Sequence, residues 1–111
     1  MRKVYVYIAG PYTNPDPIMN VRKAIFVADR LLLEGMVPYI PHLTMLQHLV
    51  SPQPYEVWLQ RDRDWIGRCD VLLRIPGESK GADWEVEEAR RLGMPIYHDI
   101  GQLIYSFKRG L

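Results

Sequence analysis

Apolar positions along this chain follow two alternating rhythms. Val4-Tyr5-Val6-Tyr7-Ile8-Ala9 is β-branched and aromatic without polar alternation, which predicts a strand buried on both faces, as in a parallel sheet. The spacing then lengthens. Val21, Ala24, Ile25, Ala28, Leu31 and Leu32 share the inner face of a helix predicted from about Ile18 to Leu33, with Gly35 as its C-cap. Val37-Pro38-Tyr39-Ile40 reads as a short second strand, near an edge because its proline has no N–H to give a ladder. Pro41 to Tyr55 reads as loop with one helical turn around Met45 to Leu49. A helix from about Glu56 to Arg68 leads into a strand from Asp70 to Ile75. The next helix spans about Gly81 to Leu92 and stops at Gly93; Met94-Pro95-Ile96-Tyr97 makes a fourth strand, and Ile100 to Phe107 a last short helix. No internal repeat or low-complexity tract interrupts this order.

Strands alternating with helices predict right-handed crossovers and a parallel α/β sheet covered on both faces. In such folds ligands bind beyond the carboxyl ends of the strands, where the strand order reverses. Two loops qualify, Gly10 to Pro17 after the first strand and Pro76 to Lys80 after the third. Both mix glycine and proline with hydroxyl residues.

Composition narrows the function classes. A length of 111 residues, 48% of them hydrophobic and 24% charged, predicts one packed domain over residues 1–111 rather than disorder. A net charge of +1, from 14 basic residues scattered among 13 acidic ones, argues against nucleic acid or an acidic membrane as a partner. Cys69 is the only cysteine, so no internal disulfide forms and a cysteine-based zinc site is excluded. The apolar run after Met1-Arg2-Lys3 is too brief for a signal peptide, and no segment approaches the roughly 20 apolar residues that span a bilayer. The expectation is a soluble, cytoplasmic protein.

Candidate chemistry concentrates in Gly77-Glu78-Ser79-Lys80-Gly81-Ala82-Asp83-Trp84-Glu85. A polar, glycine-containing loop between a buried strand and a helix start can hold an anion on free backbone N–H groups. Glu85 follows about one and a half turns into the helix. With Ala82, Val86 and Ala89 centring the packed face, Glu85 falls to one side, which also suits a boundary glutamate whose carboxylate reaches water. Ser79 suits a plain N-cap. Tyr7 suits a core aromatic with a backbone partner for its hydroxyl. Arg61-Asp62-Arg63-Asp64 suits a solvated helix face, and either aspartate can be its inward member. His42 and His48 are six apart, a poor spacing for metal ligands, and read as loop residues lining a pocket. Trp65 and Trp84 read as packing or dimer-contact residues.

Three motifs in order carry a family resemblance. Tyr7-Ile8-Ala9-Gly10-Pro11, Asp62 eight residues before Asp70, and Ser79-x-Gly81-x-x-x-Glu85-x-x-x-Ala89 resemble the nucleoside 2-deoxyribosyltransferase superfamily, which includes deoxynucleoside 5′-monophosphate N-glycosidases. Ile75-Pro76-Gly77-Glu78-Ser79-Lys80-Gly81-Ala82 is closest in wording to a small branch labelled only as a domain of unknown function. The resemblance covers about Lys3 to Tyr97. It implies a flavodoxin-like, Rossmann-like three-layer α/β/α fold with a parallel sheet of four to five strands, and hydrolysis or base exchange at an N-glycosidic bond.

By the same resemblance Glu85 takes the place of the carboxylate that attacks the sugar C1′, and Tyr7 that of the tyrosine orienting it. Asp62 matches the carboxylate that assists at the base or sugar, and Ser79 the hydroxyl that meets a 5′-phosphate. Gly10, Pro11, Tyr12, Ser79 and Gly81 are the candidate substrate-binding residues. The partner implied is a small nucleoside or nucleotide, with no metal or cofactor, on a homodimer or higher homo-oligomer. Thr13 stands where the monophosphate hydrolases carry an arginine, and the extended C-terminal segment of the transferases is missing, which favours hydrolysis over exchange. Two further readings stay open: a nucleotide-binding module without turnover, and a phosphoribohydrolase, which the missing Gly-Gly-x-Gly-Thr loop weakens.

Overall fold

A computed structural model describes residues 2–109 of the chain; residues 1, 110 and 111 of the expected domain lie outside it. Four parallel strands, β1 (Tyr5–Ala9), β2 (Val37–Tyr39), β3 (Val71–Arg74) and β4 (Ile96–Tyr97), form one sheet in the order β2-β1-β3-β4. Five helices accompany them: α1 (Pro17–Leu33), α2 (Thr44–Val50), α3 (Tyr55–Ile66), α4 (Lys80–Arg91) and α5 (Ile100–Arg109). This is the expected flavodoxin-like three-layer architecture. The proline-bearing strand β2 sits at the edge, where Pro38 has no outer neighbour to supply with an N–H.

The pleat of β1 divides the interior into two cores, because successive side chains of a strand point to opposite faces. Val6 and Ile8 join Ala24, Ala28 and Leu31 of α1 and Leu103 and Ile104 of α5 on one side. Tyr7 and Ala9 join Ile66 of α3 and Ala82, Val86 and Ala89 of α4 on the other. Central strands covered on both faces need apolar residues at every position, which is why β1 and β3 lack alternation.

The predicted boundaries hold to within two residues, although strand β4 is only two residues long. The helical turn expected around Met45 to Leu49, within the segment read mostly as loop, is the seven-residue α2, preceded by a 3-10 turn (Pro41–Leu43). No residue of α2 is buried, and Leu46 and Leu49 are largely exposed, so the periodicity of a packed face is absent there. Its start is held locally instead, by Thr44 Oγ1 donating to the Pro41 carbonyl at 2.8 Å.

Candidate active site

β1 connects outward to β2 on one side, and β3 to β4 on the other. The chain therefore leaves the two central strands in opposite directions, and a crevice opens between the loops that follow them. The loops approach each other through glycines. A Cβ on Gly77, which has φ +128°, would lie 2.6 Å from Pro11 Cγ, and one on Gly10 would lie 3.0 Å from Ile75 Cβ.

Side chains from the flanking elements hold both loops in place. The buried Asn20 of α1 donates from Nδ2 to the carbonyls of Tyr12 (3.0 Å) and Asn14 (2.9 Å). Asp16 caps α1 by accepting from the N–H groups of Ile18 and Met19. On the other loop, Arg74 is buried at the carboxyl end of β3 and donates to the carbonyls of Ile75 and Gly77 and to Asp83, the last at 3.0 Å. Ser79 is the N-cap of α4, its Oγ accepting from the Ala82 N–H at 3.1 Å. That leaves its hydroxyl proton free to donate elsewhere.

A cavity of about 1060 Å³ lies between these loops, the start of α4, and a wall made by α2 and α3. Gly10, Tyr12, Asp62, Ser79, Gly81 and Glu85 line it. Two sequence candidates do not. Pro11 is buried, packed towards Gly77, and its carbonyl lies 3.1 Å from His42 Nε2; it shapes the loop from behind. Tyr7 is fully enclosed beneath the cavity floor.

Tyr7 nevertheless reaches the cavity chemistry through its hydroxyl, which donates to Glu85 Oε2 across 78 positions of sequence. Glu85 is 8% exposed. It is not a boundary residue whose carboxylate extends into water. Its tilt off the packed face of α4 aims it at β1 rather than at solvent. Burial pushes its acid up to about 8; the charge of Asp62 adds to this, while the Tyr7 hydrogen bond and the Arg74 charge oppose it. Burial, followed by the charge of Glu85, drives the Tyr7 phenol far above its ordinary value, so it is a donor and never a phenolate at neutral pH.

Asp62 is the inward aspartate of its pair. Asp64 is exposed and accepts from Gln60 at 3.0 Å, whereas Asp62 Oδ1 is buried with no hydrogen-bond partner among the described residues. Burial pushes Asp62 up to about 6, with Arg61 opposing. The two carboxyls sense each other's charge, so their apparent values belong to the pair. Between about pH 6 and pH 8 the pair carries one proton.

The outer wall contains residues that sequence reasoning passed over, notably Met45, Gln53, Tyr55 and Trp58. Their signal was the aromatic pair Tyr55 and Trp58 three apart on a helix that carries Asp62 further along. His42 and His48 do line the cavity, and each has its tautomer set by a neighbour. His42 Nε2 faces a carbonyl, so it carries the proton, and burial lowers the pKa of the ring. His48 Nδ1 accepts from Trp58 Nε1 at 2.8 Å and from the Gln53 N–H at 3.3 Å, which leaves its proton on Nε2. Trp84 also lines the cavity, with the Arg63 guanidinium 5.4 Å from its ring centre. Trp65 lies outside, stacked on Tyr39 at 4.9 Å. Arg74 was the other omission, visible in sequence as a charge closing an apolar strand.

Residues 4–99 match the model of a family described as Domain of unknown function (DUF7768). The chain belongs to this family. No curated protein matches it in sequence. Among solved structures, this DUF7768 chain is similar to a 2-deoxyribosyltransferase from the psychrotolerant bacterium Bacillus psychrosaccharolyticus, described as a biocatalyst for nucleoside synthesis. That similarity has a TM-score of 0.66 and 25% identity, over 84% of this chain and 69% of that one. A conserved protein from Enterococcus faecalis V583 shares the fold with a TM-score of 0.69 and 15% identity; the match covers 86% of this chain and 62% of the Enterococcus protein's length. The first neighbour is an enzyme, and the DUF7768 chain is structurally related to it. No helix among the described residues is long and apolar enough to cross a membrane.

Proposed function

We propose that the chain is an enzyme that breaks the N-glycosidic bond of a nucleoside or nucleoside 5′-monophosphate, with Glu85 as nucleophile. The observation that carries this reading is the buried Tyr7–Glu85 hydrogen bond beside the unpartnered Asp62 oxygen, at the mouth of the β1/β3 crevice. A structural protein has little reason to bury two carboxyls that share one proton, because an unpaired buried charge is expensive.

The shared proton rests mainly on Glu85, the weaker acid; the reacting form is the minor one, in which that proton has moved to Asp62 and the ionised Glu85 is held by the Tyr7 hydroxyl and the Arg74 charge. A Glu85 oxygen forms a bond to C1′ as the C1′–N bond breaks, and that bond's electron pair leaves with the base. Asp62 gives its proton to the departing nitrogen, which is otherwise a poor leaving group. The oxocarbenium character developing at C1′ is stabilised by the adjacent carboxylate. A water molecule then attacks C1′, returns one proton to Asp62 and frees Glu85, which completes hydrolysis. If a second base takes the place of water, the outcome is transfer. Ser79 and the N–H groups at the start of α4 would meet a 5′-phosphate, and the α2–α3 wall with Trp58 would face the base.

The test is a panel of nucleosides and their 5′-monophosphates assayed for free-base release, with and without an added acceptor base. Release without acceptor marks a hydrolase, release only with acceptor a transferase. Saturable binding with no release over hours removes the proposed reaction and leaves a nucleotide-binding module.

A further inference from the structure

Helix α1 is apolar on two opposite faces. One, formed by Ala24, Ala28 and Leu31, is buried against the sheet. At about 100° per residue, the opposite face carries Ile18, Met19, Ile25, Phe26, Leu32 and Leu33. All six are exposed, from 37% at Ile25 to 85% at Leu33. A helix that is apolar all round is normally a buried one. We propose that this outer face is covered by α1 of a second copy of the chain, antiparallel to the first, about a two-fold axis passing between Ile25 and Phe26.

The order of residues along the stripe favours that occupant over any other. In such a pair, residues near the midline of the stripe meet the one equidistant from the axis, and residues on a flank stay on that flank. Ile18 meets Leu33, the only two charged residues on the stripe, Arg22 and Asp29, meet each other twice, and beside the axis Ile25 packs on Ile25 and Phe26 on Phe26. Along the midline apolar residues face apolar ones and each charge faces its opposite, which is the self-complementarity an isologous interface requires. A parallel pairing would set Arg22 against Arg22 and Asp29 against Asp29. Within one copy the Arg22 guanidinium lies 5.0 Å from the centre of the Phe26 ring, beside the axis, and Asp29 has no ion-pair partner among the described residues. The six apolar side chains expose on the order of 600 Å² per copy, near the ~800 Å² per partner of a standard specific interface.

Sedimentation equilibrium on the full chain tests this. The expected mass is twice the 13.0 kDa of one copy. Arg22→Asp alone and Asp29→Arg alone should each weaken self-association by about tenfold or more, and the double swap should return it to within about threefold of the parent. The rescue also shows that the single variants lost pairing rather than fold. In a Cys69→Ser background, Ile18→Cys and Leu33→Cys chains should form a disulfide with each other on mixing, while neither forms one with itself. A chain that stays monomeric up to about 100 µM overturns the proposal, as does an oligomer that both charge reversals leave intact or an Ile18→Cys chain that cross-links to itself.

Discussion

On the α1/α5 side of β1, Val6 and Ile8 are wholly enclosed by hydrocarbon; on the α3/α4 side, Tyr7 is equally inaccessible but ends in a hydroxyl bonded to a carboxyl. Both sides use the same strands, the same pleat and small residues on the facing helix. The first side has one task, to exclude water. The second excludes water and uses the resulting low polarity to push Glu85 up to about 8 and Asp62 up to about 6. Burial that stabilises the one core is what tunes the acids of the other.

The sharpest way to separate the two sides is Glu85→Gln, which keeps the shape and the Tyr7 contact but removes the proposed nucleophile. Free-base release should fall by at least about 10³-fold, or ~4 kcal/mol in the barrier, while circular dichroism stays that of the parent. Ile8→Ala should do the reverse. It should cost about 2–4 kcal/mol in urea unfolding, through lost transfer energy and a residual cavity, and leave turnover of the folded fraction unchanged.

The next effect lies in the pH dependence of stability. Glu85 ionises at an ordinary 4.5 in the unfolded chain and at about 8 in the folded one. Between those values the folded state holds a proton the unfolded chain has released, so stability falls as pH rises. The contribution is full below about pH 4.5 and is lost as pH passes through about 8. Asp62, raised from 3.8 to about 6, acts with the same sign. Unfolding followed from pH 5 to pH 8.5 should show a decline on the order of 5 kcal/mol, and Glu85→Gln should remove most of it. Ile8→Ala should lower the whole curve without changing its slope.

Tyr7→Phe is a smaller perturbation, since only the hydroxyl is lost. Its bond lowers the Glu85 acid, so without it that acid rises further. Base release should drop about 10- to 100-fold and the alkaline side of the rate profile should move up in pH. Finest is the contrast within the pair Asp62→Asn and Asp64→Asn. The first should abolish the limb near pH 6, and the exposed second should change stability by under about 0.5 kcal/mol and leave the profile alone. Equal effects from the two would dissolve the distinction between an inward and an outward aspartate.

The unbroken apolar runs of β1 and β3, the proline in β2 and the glycines after α1 and α4 were enough to write the element order, the edge strand and the two loops that border the cavity. These are local signals, carried by side-chain chemistry within a few residues. Helix α2 was not readable as a full helix, because it buries nothing and so has no periodic face. Helical phase put Glu85 at the side of α4 without saying whether that side met water or β1. The choice between Asp62 and Asp64, the bond from Tyr7 and the clamp made by Arg74 were likewise out of reach. Each depends on where a strand or helix from elsewhere in the chain comes to rest. Residue type and spacing thus determined the layers and the loops that line the cavity. Only tertiary packing decided which carboxyls lose their water, and with it which of them hold a proton at neutral pH, because desolvation is set by every neighbour at once rather than by the sequence alongside.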